Sequence, residues 1–145
     1  MTLLLFPDVN VWVALNYQRH THHGMAQRWY ENLPNSARLT FCRQTQLALF
    51  RILTTAAVME QDVLSQQACW QLYDRWVSTG QLVWADEPQD LESPLRVMTK
   101  AAIASPKTWM DAYLAAFAET AGLTLVTFDR ALAGKAKGAV LLGKS

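Results

Sequence analysis

Apolar residues in this chain follow two alternating rhythms. Short unbroken runs suit strands buried on both faces, and longer stretches repeating at i, i+3, i+4 suit helices. Leu3 to Phe6 is the first run and ends at Pro7-Asp8. Val9, Trp12, Val13, Asn16 and Tyr17 then share a helical face, which puts Asp8 at a strand-to-helix junction. After the polar stretch Arg19 to Gly24, Met25 to Leu33 reads as a short amphipathic helix stopped by Pro34-Asn35. Arg38 to Phe41 predicts a second strand. Leu49, Ile52, Leu53, Ala56 and Ala57 mark a helix that carries Arg43 and Gln46 at successive turns before them. Cys69, Leu72, Tyr73, Trp76 and Val77 stripe a helix over Ala68 to Val77, ended by Thr79-Gly80. Gln81 to Ala85 predicts a strand, and Leu95 to Ile103 a helix broken by Ser105-Pro106.

The most apolar stretch runs from Lys107 to Arg130. Trp109, Ala112, Tyr113, Ala116, Phe117 and Thr120 form one helical face, while Leu114, Ala115, Ala118 and Ala121 make most of the other side apolar. A helix apolar nearly all round is expected to be buried on both sides. Asp111 is nevertheless in its first turn. Gly122 suits the left-handed position that ends a helix. Leu123 to Thr127 is short, apolar and partly β-branched, as an inner strand should be, and Asp129 follows at its exit. Arg130 to Gly134 predicts a turn or short helix, and Ala139 to Leu142 a last edge strand.

Strands alternating with helices over 145 residues imply one α/β domain, residues 1–145, around a mostly parallel sheet. Ligand crevices in such sheets lie outside the carboxyl ends of the strands. Asp8 and Asp129 both belong there, and Asp111 starts the helix leading into the second of those strands. Composition adds little. A formal net charge of +1 neither demands nor excludes a nucleic-acid partner. Cys42 and Cys69 match no metal spacing and read as reduced thiols, and no apolar run is long enough to span a bilayer. The expectation is a soluble, cytoplasmic protein without a membrane partner.

Each aspartate has a structural explanation. Asp8 and Asp129 suit helix N-caps, and Thr108-x-x-Asp111 resembles a capping box. Together they point elsewhere. Three carboxylates meeting in a partly desolvated crevice repel one another by several kcal/mol at order of magnitude, a cost that a cation removes. Oxygen-only ligands select a hard ion, Mg²⁺ or Mn²⁺.

FPDVNVWVAL, the Gln46 helix, WMDAYLAAFA and LVTFD, in this order and spacing, resemble the PIN-domain family, and within it the VapC toxins of toxin–antitoxin pairs. The resemblance implies a three-layer α/β/α fold, a Mg²⁺- or Mn²⁺-dependent ribonuclease activity, an inhibitory antitoxin partner and a homodimer. It implies Asp8, Asp111 and Asp129 as catalytic metal ligands. Thr127 matches the small hydroxyl residue before the last aspartate, and Asn10 the polar position after the first; both are expected to orient carboxylates. The family's second acidic residue is replaced by Gln46, which brings a carbonyl without charge. That departure keeps alive a catalytically weakened PIN fold that binds RNA or a protein without cutting.

Arg43, Arg51, Arg130 and Lys135, with Lys137 and Lys144, are candidate phosphate contacts, set against an ordinary solvated surface. His20, His22 and His23 lack a completing zinc ligand and suit a helix start or the surface. Trp76 and Trp109 fit core stripes, whereas some of Trp12, Trp29 and Trp70 are candidates for an exposed groove, which the resemblance implies an antitoxin segment fills; core packing is the favoured reading for any single one. A phosphatase of the haloacid-dehalogenase type also begins strand-Asp, but it needs a second Asp where Asn10 stands.

Overall fold

The structure, a computed structural model, describes residues 2–143. Five strands form one sheet: β1 (Leu3–Pro7), β2 (Ala37–Phe41), β3 (Leu82–Trp84), β4 (Thr124–Thr127) and β5 (Val140–Leu141). Their spatial order is β3-β2-β1-β4-β5 and every pairing is parallel. The helices are α1 (Val9–Asn16), α2 (His23–Glu31), α3 (Arg43–Leu53), α4 (Ala56–Met59), α5 (Gln66–Ser78), α6 (Glu92–Met98), α7 (Thr108–Ala121) and α8 (Arg130–Ala133).

Strand alternation divides the core in two. Leu5, Leu39, Phe41 and Val126 pack against α1, α2, α3 and α5. Phe6 and Leu125 face the other way, against Leu114, Phe117 and Leu132 of α7 and α8. The result is the expected three-layer α/β/α arrangement. Right-handed crossovers explain it: the chain winds outward from β1 to β3 with helices on one face, then returns to the far side of β1 with helices on the other. The point where the winding reverses lies between β1 and β4.

Several expectations are corrected. Trp12 lines no exposed groove: it is fully buried, stacks on Phe41 at 4.1 Å and meets Trp76 edge-on at 5.2 Å. The helix predicted through Ala57 breaks after Leu53. Thr54 and Thr55 turn their hydroxyls back onto the carbonyls of Phe50 and Arg51, at 2.8 and 2.5 Å, and compete with helix continuation. The helix predicted over Leu95–Ile103 instead spans Glu92–Met98; Pro94 is tolerated in its first turn, and Thr99 closes it by donating to the Leu95 carbonyl at 2.7 Å.

Trp109 is no core residue either, being 59% exposed. Helix α7 has 14 residues, about 21 Å, whereas the 5 residues of β1 span about 17 Å. Its first turn overhangs the carboxyl end of the sheet and leaves Trp109 and Met110 uncovered, while Ala112 and residues 114–118 are buried. No capping box forms there. The residue before α7 is Lys107, which gives no side-chain cap, and the Thr108 hydroxyl pairs with that of Ser105 at 2.5 Å.

Gly122 ends α7 at φ 71°, and the Leu123 N–H closes onto the Ala118 carbonyl at 2.8 Å. A Cβ at Gly122 would meet nothing within 4 Å, so the cost of a side chain there is conformational. Gly122→Ala should lower stability by about 1 kcal/mol. Urea unfolding should show a lower midpoint with an unchanged m-value; an unchanged midpoint would mean that the left-handed conformation is not required.

Candidate active site

The reversal of winding places two strand ends side by side. Pro7 pairs with Val126 in register, and the Asp8 N–H donates to the Val126 carbonyl at 2.9 Å. Asp8 therefore stands beside Thr127. The Thr127 hydroxyl donates to Asp8 Oδ2 at 2.5 Å and accepts the Asp129 N–H at 2.9 Å. One side chain thus fixes the first carboxylate and the backbone of the last.

Asp8 is 4% exposed. Its Oδ1 caps α1 by accepting from Val11 N–H at 3.1 Å. Burial pushes its carboxyl above the ordinary range, against the hydrogen bonds from Thr127, Val11 and Asn10, and the charge of Asp129 adds to the rise. Asp111, half-buried on the overhanging turn of α7, is also raised, first by burial and then by Asp129, with Lys135 opposing. Asp129 is exposed and caps α8 through Oδ1, which accepts from Ala131 and Leu132 N–H at 2.8 and 3.3 Å. Its Oδ2 takes no hydrogen bond from the described residues.

Asp129 is therefore the charge that both other carboxylates feel. The three share one end of the sheet, but the sequence expectation of a closed ligand cluster is not met. Among the described residues no three His, Cys, Asp or Glu side chains are grouped tightly enough to hold a metal ion as they stand. Two of the six carboxylate oxygens cap helices, a third is tied to Thr127, and like charges repel. The chemistry of the donors nevertheless fits a hard cation. They are all oxygen, Asp129 raises the pKa of both Asp8 and Asp111, and among the described residues the ion pairs Arg19–Asp62 and Arg96–Glu92 involve none of them.

The remaining predicted residues divide. Thr127 is where the sequence puts it. Asn10 touches Asp8 through its backbone, while its side chain is exposed and lines the neighbouring pocket. Gln46 is buried, and its Oε1 accepts from Arg43 Nη1 at 2.5 Å; the Arg43 guanidinium also lies 4.5 Å over the Trp84 ring. Arg130 and Lys135 are exposed just beyond Asp129. Arg51 stands farther from the carboxylates than Arg43 does. It lies eight residues beyond Arg43 along α3, about 12 Å from the strand ends where that helix begins. Lys144 lies outside the described residues.

Sequence reasoning missed one wall of the site. Helix α2 leads into the start of β2, so it begins at the same end of the sheet as α1, and residues 17–22 climb back along α1 to reach that end. They bring His20, Thr21 and His22 beside Asn10, Phe128 and Asp129 around an open pocket of about 440 Å³. The His22 ring stacks on Phe128 at 4.5 Å and 19°. His23 is occupied structurally, its Nδ1 lying 2.7 Å from the Ala14 carbonyl.

A strand-end aspartate is thus wired through a threonine hydroxyl to a second, with a third on the helix between; comparison with known proteins gives the family of the fold that carries them. The PIN-domain family model matches residues 5–138. Ribonuclease VapC41 of Mycobacterium tuberculosis is 37% identical over 132 residues, covering 88% of this chain and 90% of that protein. The chain belongs to the PIN-domain family, in its VapC group. Solved structures agree in fold. VapC20 of M. tuberculosis, described as a toxin cleaving the sarcin-ricin loop, superposes with a TM-score of 0.64 at 17% identity, covering 90% of this chain and 93% of its own. A chain of VapBC2 from Rickettsia felis, solved on a promoter DNA fragment, gives 0.64 at 14% identity, covering 96% and 97%.

The raised pKa of Asp8 makes a stability prediction. The folded protein holds this proton to higher pH than the unfolded chain does, so the contribution of Asp8 is fully present below the ordinary carboxylate range and is lost as pH rises through the folded value. At neutral pH the buried charge is destabilising. Asp8→Asn keeps one oxygen as the acceptor for Val11 and turns its NH₂ toward Thr127, whose hydroxyl then accepts instead of donating; it should raise the Tm of the metal-free protein at pH 7 and leave it nearly unchanged at pH 3. A lower Tm at pH 7 would show that the carboxylate is stabilised by something else.

Proposed function

We propose that this chain is a metal-dependent endoribonuclease and the toxin of a VapBC-type toxin–antitoxin pair, which hydrolyses RNA phosphodiesters. The observation that carries the reading is the Asp8–Thr127–Asp129 relay at the point where the sheet reverses its winding, with Asp111 completing an all-oxygen donor set. Family membership makes a divalent cation the expected cofactor, and the donor chemistry favours Mg²⁺ or Mn²⁺. Asp8, Asp111 and Asp129 would hold it, directly or through water. When bound, the ion neutralises charge on the phosphodiester and makes a water molecule nucleophilic near neutral pH.

The protein's own part is positioning. Thr127 locks one oxygen of Asp8, so that carboxylate cannot swing away from the crevice. Asp129 keeps Oδ2 free for the ion or the attacking water, and Asp111 is the other candidate to orient that water. Lys135, close enough to Asp111 to lower its pKa, and Arg130 flank the site as phosphate contacts. By family resemblance the products carry 5′-phosphate and 3′-hydroxyl ends.

An antitoxin segment and a second copy of the chain are the proposed protein partners. The uncovered apolar residues Val97, Ile103, Trp109 and Met110 offer them a surface beside the overhanging turn of α7. Among the described residues no helix is long and apolar enough to cross a membrane, and the reading places the protein in the cytoplasm with its RNA.

One observation favours a second reading, a fold that binds without cutting. The carbonyl of Gln46, which stands where the family's second carboxylate is expected, is taken up by Arg43. Cleavage assays separate the two. Purified protein should cut single-stranded RNA with Mg²⁺ and lose that activity with chelator. Asp129→Asn and Asp111→Asn should each lose at least about a hundredfold, and Thr127→Val about 10–100-fold, the range for groups that orient metal ligands. Cleavage that survives chelator undiminished would refute the metal mechanism, and absence of cleavage by the wild type would favour the binding reading.

A further inference from the structure

The pocket lined by Asn10, His20, Thr21, His22, Phe128 and Asp129 adjoins the carboxylates, and apart from Asp129 its walls have no part in the chemistry above. Its walls have an uncommon composition. The His22 and Phe128 rings lie nearly parallel, 4.5 Å apart at 19°, and form an aromatic shelf. Asn10 brings an exposed carboxamide with no hydrogen-bond partner among the described residues, offering both a donor and an acceptor. Thr21 adds an exposed hydroxyl. Among the described residues no lysine or arginine lines the pocket, and burial together with neighbouring His22 and His23 pushes His20 towards its neutral form. Such a wall does not suit a phosphate. A flat ring with polar edges suits it on every count: its face extends an aromatic stack and its edge meets an amide. The volume, about 440 Å³, lies within the range of small-ligand sites.

Position narrows the occupant. Phe128 immediately precedes Asp129, so an RNA whose phosphate sits at the carboxylates has its nearest bases within reach of the shelf. This step rests on the ribonuclease reading. We infer that the pocket binds one unpaired RNA base next to the scissile phosphate, stacked on His22 and Phe128 with its edge toward Asn10. A base held in a duplex presents no free face, so the pocket selects single strands, loops and bulges, in which a base can be splayed out. His22 and Phe128 are then positioning residues: they set which phosphate reaches the carboxylates.

The test reads binding apart from cleavage. A short fluorescent single-stranded RNA is titrated with the full chain by anisotropy, with Ca²⁺ in place of Mg²⁺ so that the RNA stays whole. The same RNA is then used with an abasic nucleotide moved one position at a time along it. Wild type should lose affinity about tenfold at one abasic position, the size expected for one base–aromatic stack. His22→Ala should bind intact RNA about tenfold more weakly and show no further loss at that position, while His22→Trp should restore both affinity and the abasic penalty. In cleavage with Mg²⁺, the His22→Ala defect should fall on KM more than on kcat.

No abasic penalty in the wild type at any position overturns the inference, whatever the variants do. So does an abasic profile that is the same in wild type and His22→Ala. The two readings fail separately. Wild type that shows the abasic signature but cuts no RNA keeps the base pocket and removes the nuclease; wild type that cuts RNA without any abasic penalty does the reverse.

Discussion

The hydroxyl of Thr127 ties the two halves of this fold together where they meet. It donates to Asp8 at the end of β1 and accepts the Asp129 N–H just beyond β4. Both strands are interior to the sheet, and their parallel register leaves no choice about which residues face each other at the exit. Because the winding reverses there, no crossover helix covers that gap, and a crevice is left open at the carboxyl ends. Everything functional follows from this constraint. The first carboxylate is fixed by a strand pairing, the last by the turn into α8, and the third by a helix longer than the strands it packs on.

The same residues carry structure and chemistry at once. Asp8 and Asp129 each spend one oxygen on capping a helix, so the capping and metal readings of these residues do not compete. Capping fixes the carboxylates, and the charge of Asp129 raises the proton affinity of both Asp8 and Asp111. A fold optimised only for stability would not bury an acid at 4% exposure beside another negative charge. That repulsion is the physical basis for proposing a divalent cation here. Gln46 tempers it, standing uncharged where the family's second carboxylate is expected, with its carbonyl held by Arg43.

Most of the frame was legible from periodicity. Buried parallel strands are short apolar runs with sharp ends, and those ends put Asp8 and Asp129 correctly. The aspartate on α7 was legible as a charge in an otherwise apolar helix. What periodicity could not show is how far each helix is covered. The apolar pattern of α7 is continuous, yet its first turn projects past the sheet, and Trp109 is exposed for the same reason that Asp111 reaches the site. Trp12 had no clear place in the periodic pattern, because its burial depends on Phe41 and Trp76, both remote in sequence. Arg51 shares a helix with Arg43 but not an end of it. The histidine wall was hidden because a polar loop carries no period. Its one signal was topological: a connection between two helices that must start at the same end of the sheet has to travel back to that end.

The account stands on the claim that Asp8, Asp111 and Asp129 serve one hard cation between them. Anomalous diffraction from crystals soaked in Mn²⁺ tests it most directly. The account predicts one dominant manganese peak at the carboxyl ends of β1 and β4, bonded to these carboxylates or to water they hold. A map with no peak there, or with its main peak at the histidines of residues 20–23, would contradict it.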